Sequence, residues 1–299
     1  MTISKLVPKL TSQLFTRAIL ALILSFGLWG TSIASCLASH TNIQSDSRPS
    51  NSSFINHNPR KAPKTLVLII ASDKELIYRE LQKVWRVYMH SDPEHFEAYF
   101  IKSDPKLPVK YKLDGDTIWS RSVENIIPGV LNKTILSLEY LSARIQAGEF
   151  DYILRTNLSS FYIYPGLLDY LKSCPTTKFY GGSDAHSGKF GAIMADGSGS
   201  GFLFSPDLAQ LLINNSATLI NHTWPDDIAI AQFFRRHKIL LQPHPRVNIY
   251  TSQDWKIHQH KLTQANFQIR VNHKNSKSRI KKDLPIYAQL LEKFYGKTL

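Results

Sequence analysis

DYILRTNLSSFYIY, residues 151–164, starts as a buried strand at Tyr152-Ile153-Leu154 and then turns polar with no glycine or proline to break it. Arg155, Thr156, Asn157, Ser159 and Ser160 follow, and the segment ends in an aromatic run. Its surroundings decide the reading. TLVLIIA, residues 65–71, is a continuous apolar run that stops at Ser72-Asp73. Its length and β-branching predict a strand buried on both faces of a sheet. KELIYRELQKVWRVYMH follows, with Leu76/Ile77, Leu81, Val84/Trp85 and Tyr88/Met89 at helical spacing. AYFI (98–101) and DTIW (116–119) are the next strands, and residues 126–147 read as one long amphipathic helix. Three shorter helices are expected at PGLLDYLKS, at SPDLAQLLIN with Ser205 as cap, and at DDIAIAQFFRRH. KFYGG, GAIMA and GFLFS are short strands between glycines, and ILLQ (239–242) is the last. Alternating strands and helices predict an α/β domain on a mostly parallel central sheet. Ligands of open α/β sheets bind beyond the carboxyl ends of the strands. RTNLSS then reads as the polar rim of a ligand crevice; the plain alternative is an Asn/Ser turn capping the next segment.

The chain has 299 residues, long enough for one large domain or two small ones, and its 43 % hydrophobic content excludes a wholly disordered chain. The net charge of +13 is concentrated late: residues 235–299 carry 14 Lys/Arg against 3 Asp/Glu. Such a surplus favours an anionic neighbour, and a solvated basic surface is the alternative. With only Cys36 and Cys174, a disulfide framework and a cysteine-rich zinc site are excluded.

Residues 1–17 hold Lys5, Lys9 and Arg17 and no acid, and AILALILSFGLWG (18–30) is apolar throughout. This is the pattern of a signal anchor or signal peptide over residues 1–39, with the basic flank in the cytosol. IASC, residues 33–36, also fits a lipoprotein cleavage box ending at Cys36. Residues 40–64, rich in Ser, Asn and Pro, read as a flexible linker to a domain over 65–299. The expected location is membrane-anchored, single-pass with a cytosolic N-terminus, or secreted, with the domain outside the cytosol. No nucleic-acid partner is expected, because no recognition motif occurs.

GDTIWSRSVENIIPGVLNKTILSLEYL, FDYILRTNLSSFY, GSGSGFLFSPDLAQLL and WPDDIAIAQFFRRHKI stand in that order. The arrangement resembles the GT-A glycosyltransferases of the β-1,3-galactosyltransferase and Fringe group, glycosyltransferase family 31, over roughly residues 65–245. The resemblance implies a GT-A-like, Rossmann-type domain behind an N-terminal anchor. It implies hexosyl transfer, expected to be inverting, from a nucleotide-sugar donor, expected to be UDP-linked. The acceptor would be a glycan, protein or lipid hydroxyl. By the resemblance, Ser72 and Asp73 meet the nucleotide base, and Lys133, Arg155, Asn157 and Ser159 belong to the donor site. Asp227, with Asp226 as competitor, falls on the catalytic acid. That pair at a helix start also suits the macrodipole alone.

The family's aspartates hold a divalent cation, Mn²⁺ or Mg²⁺, on the donor's pyrophosphate. Here Asn157, Leu158 and Ser159 replace them, and neutral oxygens are poor ligands for hard cations. Cations such as Arg155, Lys133 or those of the basic C-terminal part (Arg270, His273, Lys274, Arg279) are then expected to neutralise the leaving diphosphate. The rival is a non-catalytic nucleotide-sugar- or glycan-binding protein. Glycine lets a backbone approach a sugar closely, so Gly199 and Gly201 are expected at the acceptor. Trp224 beside the acidic pair could stack on a sugar face. His244 and Arg246 follow the last strand; a metal or phosphate contact is one reading of His244, although most lone histidines are neither.

Overall fold

The apolar run after Lys64 forms β1 (Thr65–Ile70). Successive side chains of a strand point to opposite faces. Val67 and Ile69 therefore enter one core and Leu66 and Leu68 the other, all fully buried. Burial on both faces is why the run is continuously apolar. The computed structural model describes residues 62–185, 196–220 and 222–299, all within one compact unit. The signal segment 1–39, linker residues 40–61 and the strand expected at GAIMA lie outside the described residues.

β1 pairs in parallel with β2 (Phe96–Ser103) on one side and β5 (Tyr152–Asn157) on the other. β3 (Tyr111–Asp114), β4 (Thr117–Ser120), β7 (Tyr180–Ala185), β8 (Asp196–Phe204) and β9 (Gln242–Pro243) complete an eight-stranded sheet. Its order is β3-β4-β2-β1-β5-β8-β7-β9. The sheet is mixed: β1–β2, β1–β5, β2–β4 and β7–β9 are parallel, in line with the expected parallel majority, whereas β3–β4, β5–β8 and β7–β8 are antiparallel. Only residues 186–195 separate β7 from β8, and a parallel neighbour needs a crossover of about a dozen residues or more.

Helices cover both faces. α1 (Leu76–Tyr88), α4 (Tyr164–Lys172) and α9 (Arg279–Tyr295) pack on the Val67 face through Trp85, Tyr88, Leu167, Tyr287 and Leu290. α2 (Gly129–Tyr140), α3 (Ser142–Gln146), α5 (Pro206–Asn214), α6 (Ser216–Ile220) and α7 (Asp226–Arg236) pack on the Leu66 face. The long helix expected over 126–147 begins only at Gly129 and divides at Leu141, leaving Ile126 73 % exposed. Ser205 precedes α5 as expected, yet its hydroxyl accepts from the N–H of Phe179 and does not cap the helix. ILLQ contributes only Gln242 to a strand. The next residue, Pro243, lacks the N–H a longer ladder needs, which confines it to an edge.

A second sheet, not anticipated, has the order β10-β11-β6, from Val247–Ile249, Gln268–Val271 and Ser160–Tyr162, with α8 (Ser252–His258) between β10 and β11 in the chain. It also explains the aromatic end of the opening segment. Tyr295 Oη donates to the carbonyl of Tyr162 (2.7 Å) and accepts from the N–H of Tyr164 (3.0 Å). Tyr88 Oη accepts from the N–H of Tyr162, and Tyr287 Oη donates to the carbonyl of Leu158. The polar turn at 157–160 is thus held from behind by α1 and α9.

Candidate functional site

The carboxyl ends of β1 and β5 open onto a cleft of about 330 Å³. Its floor is Ile70, Ala71 and Ser72 from β1, with Asn157, Leu158 and Ser159 from β5. Ile126 and Val130 form an apolar wall, and Lys74, Glu75 and Glu124 supply charge. A second recess of about 300 Å³ shares Ser72, Lys74 and Glu124 and adds Asp73, Lys102, Ser103 and Trp119. A larger groove of about 700 Å³ lies between α5 and the Ile239–Gln242 segment. It contains none of the convergent polar groups described here.

Strand alternation puts Arg155 and Asn157 on the Ile153 face, where α7 packs. Arg155 reaches Asp226, the first residue of α7, in a pair buried on both sides. It also donates to the carbonyl of Gly199, as does Asn157 Nδ2 (2.9 Å). The N–H of Gly199 donates to Asp227 Oδ2 (2.8 Å), and Asp227 Oδ1 accepts from the N–H of Ile228 (3.0 Å). One residue of β8 therefore joins Arg155, Asn157 and Asp227. A Cβ at Gly199 would stand 2.5 Å from Asp227 Oδ2, so this approach requires glycine. Gly201 is buried, and a Cβ there would collide with Tyr162 Oη. Gly201 thus packs closely against Tyr162. Trp224 stands just before α7, 36 % exposed.

Most of the cations expected to meet a diphosphate are engaged by carboxylates. Lys133 is fully buried and bonds both oxygens of Glu124 (3.0 and 2.8 Å) and the carbonyl of Ala71 (3.0 Å). Burial lowers its pKa, and the Glu124 carboxylate opposes that shift. Arg155 is paired with Asp226, whose pKa burial raises against the pull of the guanidinium. Arg279 donates to Asp283 (2.6 Å), which also holds His273 Nδ1 (2.6 Å). Lys274 is exposed. Asp73 is engaged by Lys102 (2.8 and 2.9 Å) and Gln82. Burial raises its pKa, but these hydrogen bonds outweigh burial and leave it lowered. His244 packs against Tyr170 and Phe267, and burial lowers its pKa to about 4. That environment suits a core histidine.

The residues at the aspartate-replacing positions do not fit a divalent cation. Asn157 Oδ1 already accepts from the N–H of Ser159 (3.0 Å), and Ser159 Oγ faces the Arg279 guanidinium (3.4 Å). A guanidinium beside a neutral hydroxyl repels a metal ion. Among the described residues no three His, Cys, Asp or Glu side chains are grouped to hold one.

The sequence reading missed Glu124, Ile126, Lys74, Lys102 and Trp119. Trp119 was accessible to the strand-end rule, since it ends the expected strand DTIW and is the penultimate residue of β4. Lys102 sits one residue before the end of β2 and is drawn over the Trp119 ring (5.3 Å). Glu124 lies in the irregular segment before α2, nine residues from Lys133, where no periodicity marks it as the partner of that lysine.

No family model matches the chain, and no curated protein matches it. Among solved structures it is similar to a glycosyltransferase involved in the glycosylation of the major capsid of PBCV-1. That match has 12 % identity and a TM-score of 0.44, covering 75 % of this chain and 100 % of that chain. Mouse xyloside xylosyltransferase 1 matches at 10 % identity and a TM-score of 0.36, covering 70 % and 97 %. The glycosyltransferase GlyE of Streptococcus pneumoniae TIGR4 matches at 11 % identity and a TM-score of 0.40, covering 75 % and 60 %. With identities and TM-scores this low, function is argued from the geometry of the site itself.

Proposed function

We propose that the chain is a nucleotide-sugar-dependent glycosyltransferase of the kind the β-1,3-galactosyltransferase and Fringe group represents. The observation that carries this reading is the convergence of Asn157 and Asp227 on Gly199, beside a cleft at the carboxyl ends of β1 and β5. Ser72 and the apolar wall of Ile126 and Val130 suit a nucleoside, with a planar base covering the exposed Ile126. The acceptor hydroxyl oxygen attacks the anomeric carbon and its proton passes to the Asp227 carboxylate. The bond from that carbon to the diphosphate oxygen breaks, and the nucleoside diphosphate leaves with the electron pair. Displacement from the opposite face inverts the anomeric centre. Asp227 suits the base better than Asp226, because it is only half-buried and carries no counter-cation among the described residues. Residues 1–39 would hold the domain outside the cytosol, facing glycan, protein or lipid acceptors.

Loss of the aspartates favours a second reading, a nucleotide-sugar-binding protein without turnover. The purified chain, incubated with a panel of UDP-sugars with Mn²⁺ or with EDTA, separates the two. Glycosyl transfer predicts UDP release that survives EDTA. Tight donor binding with no release would instead establish the binding protein.

A further inference from the structure

Among the described residues, two guanidinium groups near this site have no carboxylate partner. β11 sets Arg270 opposite Ser160 of β6 and opposite Asn248 of β10. Arg246 lies just before β10, its Nε on Asn248 Oδ1 (2.8 Å) and an NH group on Ser200 Oγ. Arg270 lies 5.9 Å from the ring centroid of Tyr250, and its Nε is buried with no hydrogen-bond partner. Among the described residues neither arginine forms an ion pair, although Arg155, Lys133, Arg279 and Lys102 each do. Burial lowers the pKa of Arg246, and the charge on Arg270 lowers it further. Two like charges held together, half-buried and without a counter-ion, repel each other until an anion arrives.

The place matters as much as the charge. Ser200, whose hydroxyl accepts from Arg246, follows Gly199, whose carbonyl accepts from Asn157 and whose N–H donates to Asp227. The carbonyl of Ser200 takes hydroxyls from Thr156 (2.9 Å) and Ser160, and its own hydroxyl lies 3.1 Å from that of Ser198. Cations and hydroxyls thus gather one residue along β8 from the proposed base. A guanidinium fork matches phosphate oxygens two at a time.

We propose that Arg246 and Arg270, with the Ser198 and Ser200 hydroxyls, form an oxyanion site that grips the donor's diphosphate where relatives of this type use a metal ion. This rests on the donor reading above. The developing charge on the leaving diphosphate is met by fixed guanidinium groups, which need no cation to enter with the substrate.

Calorimetric titration of the whole chain in EDTA, with UDP, uridine and inorganic pyrophosphate, tests it. The proposal predicts that UDP binds more tightly than uridine and that pyrophosphate binds unaided. Arg270→Gln and Arg246→Gln should each weaken UDP roughly 10- to 100-fold and leave uridine unchanged, which also reports that the variants fold. Arg270→Lys, which keeps charge and loses the fork, should fall between. Unchanged UDP affinity in both Gln variants overturns the site while sparing the donor reading, as does UDP binding that appears only with Mn²⁺. Pyrophosphate binding that the variants abolish, in a chain that takes neither uridine nor UDP, keeps the oxyanion site and removes the donor reading. Binding of none of the three overturns both. An acidic group on the acceptor as the true anion would show as pyrophosphate competing with acceptor and not with UDP, which overturns the assignment to diphosphate.

Discussion

Asp226 is buried against Arg155, whereas Asp227, next along α7, accepts N–H groups from Gly199 and Ile228. The two should therefore fail in different ways. Asp227→Asn removes the proposed base and should lower turnover roughly 10²- to 10⁴-fold with little change in melting temperature. Asp226→Asn leaves the Arg155 charge buried and unpaired and should cost about 3–5 kcal/mol of stability. Activity assays paired with urea unfolding distinguish these outcomes, and equal stability losses would refute the division of roles. The sequence displayed the acidic pair but not which member faces the site. That choice depends on Arg155, 71 positions away, sharing a strand face with α7. Lys133 and Arg155 invited a diphosphate role for the same reason. Their carboxylate partners come from other elements, and no spacing rule pairs them.

At the scale of elements, two of the three glycines of β8, Gly199 and Gly201, have separate duties. Gly199→Ala presses a methyl group against the Asp227 carboxylate. It should reduce turnover at least tenfold and leave most of the stability. Gly201→Ala meets the buried Tyr162 hydroxyl, with Gln268 Nε2 2.9 Å away. It should destabilise by about 1–3 kcal/mol or more, as overpacking does. Thermal melts and kinetics of the two variants provide the comparison. α9 yields a further test: Tyr295→Phe removes the hydroxyl that ties Tyr162 and Tyr164 and should cost about 1–3 kcal/mol, seen as a lower urea midpoint. The elements best read from sequence are those with one dominant pattern, such as the apolar run of β1 and the helical periodicity of α1. β6, β10 and β11 are three or four residues each, too short for periodicity, and their pairing is set by α9 pressing β6 into place. The antiparallel run of β8 was legible in the short spacing from β7, had connection length been weighed beside composition.

For the molecule as a whole, acid should act through two groups. Burial holds His244 near a pKa of about 4, whereas the unfolded chain protonates it near 6.5. Its folded-state pKa is depressed, so its contribution is complete above about pH 6.5 and is lost as pH falls through 4, a loss of roughly 3 kcal/mol. Arg144 holds Glu97 at about 2, and that stabilisation is present above 4.5 and disappears as pH falls toward 2. His244→Phe should flatten the melting temperature between pH 6.5 and 4 and leave the steeper loss below 4.5 in place. An unchanged profile would mean that His244 is protonated in the fold. The chain's concentration of positive charge near the C-terminus takes on a purpose if Arg246 and Arg270 meet an anion, since Lys102, Lys133, Arg155 and Arg279 already have carboxylates and Lys74 is bonded to the carbonyl of Glu124. What all of this depends on is a nucleotide sugar seated where β1 and β5 end. A crystal structure of the chain with UDP examines that position atom by atom. The base should lie against Ile126 and Val130 near Ser72, with the diphosphate turned toward Asn157, Arg246 and Arg270. UDP found in the groove between α5 and residues 239–242, or not bound at all, would show that the site was misplaced.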